Sequence, residues 1–583
     1  MKRQCAARIV CIVVMLTIVF TVFSARLIDL QIARHQEYSR LAAEKNTIRQ
    51  VIPARRGTIR DCHGEILADN LPMRTVVADG SHIVDPTALA KLAAPYLEME
   101  EAELRERIRG DRKYVVVRRK LPEGNAIELS RALQAGGLKG LYFEPDSKRS
   151  YPNNGMLCHL IGFLDHDGEG IQGIEKTMES QLDGEDGFRH MERDRTGREI
   201  VIYRGQEQEP RNGADVYLTI DMGLQCIVEE ELDAAVLELQ PETAVALFVR
   251  PATGEIVACA SRPGFDLNDV GSAQAEQMKN RAIIDMVEPG STFKIVVASA
   301  AINERVATDA TRVFCENGSF AYGGKILRDH HGYGSLGVHE IIVKSSNIGS
   351  AKLAMMMGEQ RFYDYVTRFG FGRRSGVDLP GEIPGVVHPP HRWDKLTITR
   401  MPMGHSVAVT PLQIVMAMGA IANQGRLMKP QIVSKIVDEK GVTIRDFQPE
   451  VVREVVTPET AAYISDALRE VVGERGTARR AHVDGYAVAG KTGTAQKVSP
   501  KGGYMEGKYV VSFAGYFPAD KPELVGLVLV DNARLASSAN YGGLVAAPVF
   551  ARIAARAARY LNLTPTEEGE STLALNTEGD RTR

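Results

Sequence analysis

Ser291 and Lys294 stand three residues apart at the head of an apolar run, in "VEPGSTFKIVVASAAI". In a first helical turn that spacing puts both side chains on one side. A helix N-terminus favours negative charge developing on the hydroxyl, and a lysine in a dry, helix-packed site can lose its proton and act as a base. A serine beside a neutral lysine is an activated nucleophile. Taken alone the pair also fits a capping serine followed by a surface lysine. A second group lies in "VKSSNIGSAKLAMMMG", where Ser345 and Asn347 precede another apolar helix. A hydroxyl and an amide so placed could relay a proton and hold a substrate amide, although a simple helix cap would read the same way.

The third group is in "DGYAVAGKTGTAQKV". Gly485 to Thr492 satisfies G-x-x-x-x-G-K-[ST], the pattern of a phosphate-cradling loop. That loop needs an apolar strand before its first glycine and a helix from its Lys-Thr. Here "GTARRAHVD" precedes Gly485 and "GTAQKVSPKGG" follows Thr492, so the nucleotide reading fails. Lys491, Thr492, Gly493 and Thr494 instead suit an extended strand, with Gly493 permitting close approach of a ligand's backbone.

The surrounding sequence predicts the elements that position these groups. "ADVYLTI" reads as a strand, and Asp221 can cap the helix "MGLQCIVEEELDAAVLEL". "TAVALFVRPATGEIVACAS" reads as two strands around a turn. "TPETAAYISDALREVVGE" is a helix with Thr457 as cap and Pro458 at its first position. "YVVSFAGYFP" and "LVGLVLVDN" form another strand pair, and "AAPVFARIAARAARYLN" closes the domain as a helix. Paired strands at both chain ends with helices between them predict an α+β domain built on a mostly antiparallel sheet.

At 583 residues the chain is too long for one core. A net charge of −3 argues against nucleic acid as the main partner. Seven scattered cysteines without C-x-x-C spacing do not make a disulfide or zinc framework. Asp329, His330, His331, His339 and Glu340 form a loose group of possible ligands with no recurring spacing, so no metal and no cofactor is expected. Lys2, Arg3 and Arg8 precede an uncharged run from Ile9 to Ala25, which is at the short end of a membrane span. The flanking cations would hold that end in the cytoplasm and export the rest. A cleaved signal peptide is the alternative, but apolar residues continue at helical spacing past Arg26. The expected organisation is a cytoplasmic tail (1–8), a transmembrane anchor (9–25), a juxtamembrane helix (26–50), an α+β pedestal (51–210), a catalytic domain (211–562) and a disordered tail (563–583).

S-x-x-K, S-x-N and K-T-G in this order resemble the penicilloyl-serine transferase signature of penicillin-binding proteins and β-lactamases. Nearly the whole chain resembles a class B penicillin-binding protein. "RRGTIRDCHGEILA", "RSYPNNGMLCHLIGF" and "GIQGIEKTMESQLDG" resemble boxes of the non-catalytic pedestal; "NRAIIDMVEPGSTFK", "VAVTPLQ" and "YGGLVAAPVF" resemble boxes of the transpeptidase domain. Ser-Ser-Asn at 345–347 followed by "IGSAKLA" is similar to the division-specific, FtsI-type branch, whereas the elongation branch usually carries aspartate at the third position.

The resemblance implies a penicillin-binding transpeptidase fold on an elongated pedestal behind a single N-terminal transmembrane helix in the inner membrane, with the catalytic domain outside the cytoplasm. It implies that Ser291 attacks the carbonyl between the last two D-alanines of a peptidoglycan stem peptide and that Lys294 takes its proton. Ser345, with Lys491, would pass a proton to the departing D-alanine, and Asn347 would bind the substrate amide. Thr492 and Thr494 would hold the terminal carboxylate, beside Gly493, and the backbone N–H groups of Ser291 and Thr494 would form the oxyanion hole. β-Lactams would acylate Ser291. No stretch resembles a glycosyltransferase, so a membrane glycan polymerase of the FtsW type and other division proteins are the implied partners. A membrane-anchored β-lactamase or β-lactam sensor would share the motifs, but Glu359 and Glu382, between the second and third motifs, lack a deacylating context. An idle scaffold would have eroded at least one motif.

Overall fold

The computed structural model describes residues 2–38, 47–193, 199–499, 502–534 and 540–566. Helix α1, Lys2–Ile28, belongs to the one helical stretch among the described residues, Ala6–Ala33, that is long and apolar enough to cross a membrane. Ile9, Val13, Phe20 and Phe23 are exposed along it, an apolar surface that needs lipid or protein around it. The helical conformation therefore starts before and ends after the span 9–25. The juxtamembrane helix expected to residue 50 does not reach that far. Asp29–Ala33 is a wider helical turn, and Thr47–Ile52 is a strand paired with Gly187–Arg193. The β-branched Val51 and Ile52 favour the pleated surface of that pairing. Residues 39–46 of the expected helix lie outside the described residues.

The chain divides into two compact units, each discontinuous in sequence. The first comprises residues 1–56, 72–148 and 183–213. Its core is built from helix α2, Pro86–Leu97, capped by Asp85, which buries Leu89, Ala93 and Leu97 against Val76, Val117 and Leu129. Gly187–Arg193 also pairs antiparallel with Glu199–Gln208.

The second unit comprises residues 57–71, 149–182 and 214–583, so two segments of the expected contiguous pedestal fold with the candidate site residues. Asp221 caps α3, Met222–Leu239, by accepting from the Leu224 N–H. The central sheet is antiparallel throughout, in the order β2-β1-β5-β4-β3, from β1 Thr243–Val249, β2 Ile256–Arg262, β3 Ala489–Val498, β4 Tyr504–Phe517 and β5 Leu524–Asp531. Nearly every residue of β1 and β5 is buried, as strands covered on both faces require. Asp215–Leu218 does not join this sheet. It pairs with Ile59–Arg60 and Val433–Val437 instead.

Between the sheet's two halves in sequence come α4 Lys294–Asn303, α5 Asn347–Met357 and α6 Pro411–Ala422, nearly all apolar. They are followed by α7 Pro458–Val472, which Thr457 caps, and after the last strand by α8 Gly542–Tyr560. Phe248, Phe513 and Phe517 pack on Phe550 of α8. The expected tail is ordered at its start: the Tyr486 hydroxyl donates to Leu563 O at 2.7 Å and the Thr566 N–H to Gly485 O at 2.9 Å. Residues 567–583 lie outside the described residues.

Candidate active site

Pro289 and Gly290 lead into a tight turn over Gly290–Phe293, and α4 starts at Lys294. Gly290 has φ +58°, and a Cβ there would lie 2.8 Å from Thr494 O and 3.0 Å from Thr494 N. Only glycine lets the turn approach β3 this closely. Ser291 is half-buried in this turn, one residue from the contact. Lys294, one turn later, is 1% exposed. Its Nζ donates to Asn347 Oδ1 at 2.8 Å, to Ser345 Oγ at 3.1 Å and to the Ser345 carbonyl. The first two motifs are thus joined through one ammonium or amine.

Lys491 lies on β3, the edge strand of the sheet, and is fully buried. Burial lowers its pKa from the ordinary 10.5 to about 7. Burial pushes Lys294 well below its ordinary value too, and the neighbouring charge of Lys491 pushes the same way against a weaker pull from Asp329. Burial and the Lys491 charge both favour proton loss from Lys294; the resulting amine keeps two N–H donors, and the Ser345 hydroxyl can then donate to its lone pair. The surface-lysine alternative is thereby removed.

Ser345 has φ +57°, a left-handed conformation that a serine rarely adopts. The kink separates its side chain from the helix that follows. Ser346, not Ser345, caps α5, accepting from the Gly349 N–H at 2.9 Å. Asn347 is the first helical residue, and its Nδ2 donates to Arg328 O at 2.9 Å. A residue that the sequence offered only as a possible metal ligand holds this arrangement. Asp329 accepts from the Ser346 hydroxyl at 2.7 Å, the Asn347 N–H, and the Ile348 N–H at 3.1 Å. It lies in a separate loop, so no local spacing marks it. His330 beside it packs edge-on against Tyr541, and burial together with Lys294 lowers its pKa.

On β3, Thr492 Oγ1 is 3.4 Å from Thr477 Oγ1, and Thr494 Oγ1 accepts from the Gly542 N–H at 3.3 Å. The reason for Gly493 differs from the expected one. A Cβ there would lie 2.3 Å from Ser512 Oγ and 2.8 Å from Pro289 O, so the approach that glycine permits is that of the protein's own chain. Gly542 is likewise required, since its Cβ would lie 2.6 Å from Gly493 O. No helix follows Thr492; β3 runs on to Val498.

The loose ligand group does not converge. Asp329 serves α5, His339 pairs with Asp466 at 3.2 Å, and Glu340 accepts from the Gly337 N–H of its own turn. Glu382 accepts from the Ser375 and Gly376 N–H groups and Glu359 opens a helix. One further set, Cys62, His63 and Asp221, brings ligand atoms within 4.8 Å of one another. There Asp221 already accepts from the Tyr560 hydroxyl and the Leu224 N–H and pairs with His63.

Residues 244–555 match the penicillin binding protein transpeptidase domain, and residues 51–218 the penicillin-binding protein dimerisation domain. The chain is 34% identical to stage V sporulation protein D of Bacillus subtilis over 92% of this chain and 83% of that protein. It is 31% identical to the peptidoglycan D,D-transpeptidase FtsI of Escherichia coli K12, with 88% and 85% covered. Among solved structures it is similar to penicillin binding protein 3 of Mycobacterium tuberculosis in complex with ampicillin, at a TM-score of 0.69 and 28% identity over 89% of this chain and 98% of that one. Such relatives agree with a membrane-anchoring role for α1. The chain belongs to the class B penicillin-binding proteins, the peptidoglycan D,D-transpeptidase branch of that family.

Proposed function

We propose that Ser291 is the nucleophile of a stem-peptide transpeptidase acting in cell division. The burial of Lys294, which pushes its pKa well down, and its bonds to Ser345 and Asn347 are the observations that carry the reading. Ser291 Oγ attacks the D-alanyl-D-alanine carbonyl and its proton passes to Lys294. The oxyanion is held by the Ser291 and Thr494 N–H groups, each such donor contributing about 3–4 kcal/mol to the transition state. As the C–N bond breaks, the proton returns through Ser345 to the departing D-alanine nitrogen. An amine from a neighbouring stem peptide then attacks the ester, loses its proton to the same relay, and releases Ser291. Thr492 and Thr494 receive the terminal carboxylate on the edge of β3, an extended peptide being the natural ligand of a strand edge, with charged Lys491 supplying positive potential. Asn347 orients Lys294, and binding the substrate amide would require its Nδ2 to leave Arg328 O. A β-lactam forms the same ester on Ser291.

The division role is supported by Ser-Ser-Asn at 345–347 and by relatives named FtsI and stage V sporulation protein D. Lys2, Arg3 and Arg8 before the apolar run favour a cytoplasmic N-terminus and an exported catalytic domain, where a glycan polymerase of the FtsW type would supply the strands to be cross-linked. Depletion in the source cell is expected to give filaments that the wild-type gene rescues and Ser291→Ala does not. Rounded cells would contradict the division assignment. Rapid turnover of bound penicillin would favour the β-lactamase alternative.

A further inference from the structure

Glu288, three residues before Ser291, gathers three chain segments at one carboxylate. Oε1 accepts from the Ser406 N–H at 2.9 Å. The Tyr504 hydroxyl lies 3.2 Å from Oε1 and 3.1 Å from Oε2. His405 Nδ1 lies 2.9 Å from Oε2 and 3.0 Å from the Tyr504 hydroxyl. Glu288 is little exposed, His405 is about one-fifth exposed and Tyr504 is exposed, so the carboxylate is held by several partners at once at the edge of solvent.

The backbone around this point is fitted as closely. Val287 and Val409 exchange N–H···O bonds at 2.9 Å in both directions, and the Gly290 N–H donates to Gly404 O at 3.3 Å. A Cβ on Gly404 would lie 2.1 Å from Gly290 O, and Gly404 has φ +84°. Ser406 has φ +60°, a conformation unusual for serine that places its N–H on Glu288. Tyr504 opens β4, the strand whose Val511 pairs with Thr494 of β3.

These contacts converge on one distance. The two proposed oxyanion donors, the N–H groups of Ser291 and Thr494, belong to the Gly290 turn and to β3, which are separate segments meeting at Gly290. We infer that Glu288, His405 and Tyr504 form a clamp that sets the separation of the Ser291 and Thr494 donors, with Glu288 as a positioning residue for acylation. The inference rests on Ser291 being the acylated residue. Glu288 touches the 404–406 segment through Ser406 and His405, and the β3-β4 hairpin through Tyr504. Loosening it lets the turn and the strand drift independently, while the nucleophile and Lys294 remain.

The test uses the full chain in detergent, with fluorescent penicillin as the probe. Acylation is resolved into the dissociation constant of the initial complex and the rate constant of ester formation, and thermal unfolding is recorded alongside. Glu288→Gln is expected to lower the ester-forming rate constant about 100-fold, the cost of a misplacement of about 1 Å, with the initial complex little changed. Tyr504→Phe removes one hydroxyl and is expected to lower the same constant about tenfold, the typical loss for a hydrogen bond to a charged group. The double variant should be no slower than Glu288→Gln alone, because both act through one contact. Wild-type rate constants in both single variants would overturn the clamp, as would rate losses that multiply in the double variant or that follow the fall in melting temperature. If Glu288→Gln does not fold, Tyr504→Phe decides alone. Undiminished labelling of Ser291→Ala would strike the underlying nucleophile assignment and is read separately.

Discussion

Lys294 and Lys491 are buried in one site, and burial works against both charges. Both amines are pushed toward the neutral form, and the proposed division of labour gives Lys294 the role of base and Lys491 that of supplying positive charge. The folded pKa of Lys491, about 7, lies below the ordinary 10.5, so between those values the folded chain binds fewer protons than the unfolded one. Stability from this group thus rises with pH through that window. Catalysis goes the other way. Loss of the Lys491 charge weakens attraction for a substrate carboxylate, so the second-order acylation constant should fall as pH rises past about 7. In the carboxylate-bound complex the limb should move to higher pH, because the bound anion favours the charged form. Stopped-flow acylation across this range checks it, and a constant that stays level well above pH 7 would refute it. At Asp329 the expectation concerns both stability and rate. Asp329→Ala removes the acceptor of the Ser346 hydroxyl and of the Asn347 and Ile348 N–H groups, a loss of about 1–3 kcal/mol, and frees Asn347 and Ser345 from their fixed relation to Lys294. Thermal melts and penicillin acylation should fall together, in contrast to the Glu288 variants.

The elements meet through glycine contacts that sequence patterns did not assign. Gly290, Gly404, Gly493 and Gly542 each sit where a Cβ would enter backbone or a packed side chain. Gly404→Ala should destabilise the chain by about 3 kcal/mol, since it combines a positive φ with a clash against Gly290. Calorimetry would detect this, and an unchanged melting temperature would show that the Gly290–Gly404 contact yields easily. The sheet strands, α7 with its Thr457 cap and the three motifs were legible because each follows local periodicity or spacing. Asp329, Glu288 and the Gly290–Thr494 contact were not, because their partners lie in segments remote along the chain. Gly493 was noticed but for a ligand's approach, when the approaching atoms are Ser512 and Pro289. The strand Thr47–Ile52 was absorbed into an expected helix because its partner, Gly187–Arg193, is far away in sequence.

At the scale of the whole molecule, an apolar N-terminal helix and two compact units accompany a family match that spans both the dimerisation and the transpeptidase regions. The contiguous pedestal read from the sequence breaks up because short strands such as Ile59–Arg60 pair with Asp215–Leu218 across more than a hundred and fifty residues. Such pairing is invisible to any local pattern. In the proposed function these parts serve a single ester on a single serine. The most direct test is to treat the detergent-solubilised full chain with a β-lactam, measure the intact mass and map the adduct by peptide sequencing. One stable adduct on Ser291 is predicted, absent from Ser291→Ala and formed about 100-fold or more slowly in Lys294→Ala. An adduct on another residue, an acylated Ser291→Ala protein, or normal acylation of Lys294→Ala would contradict the account.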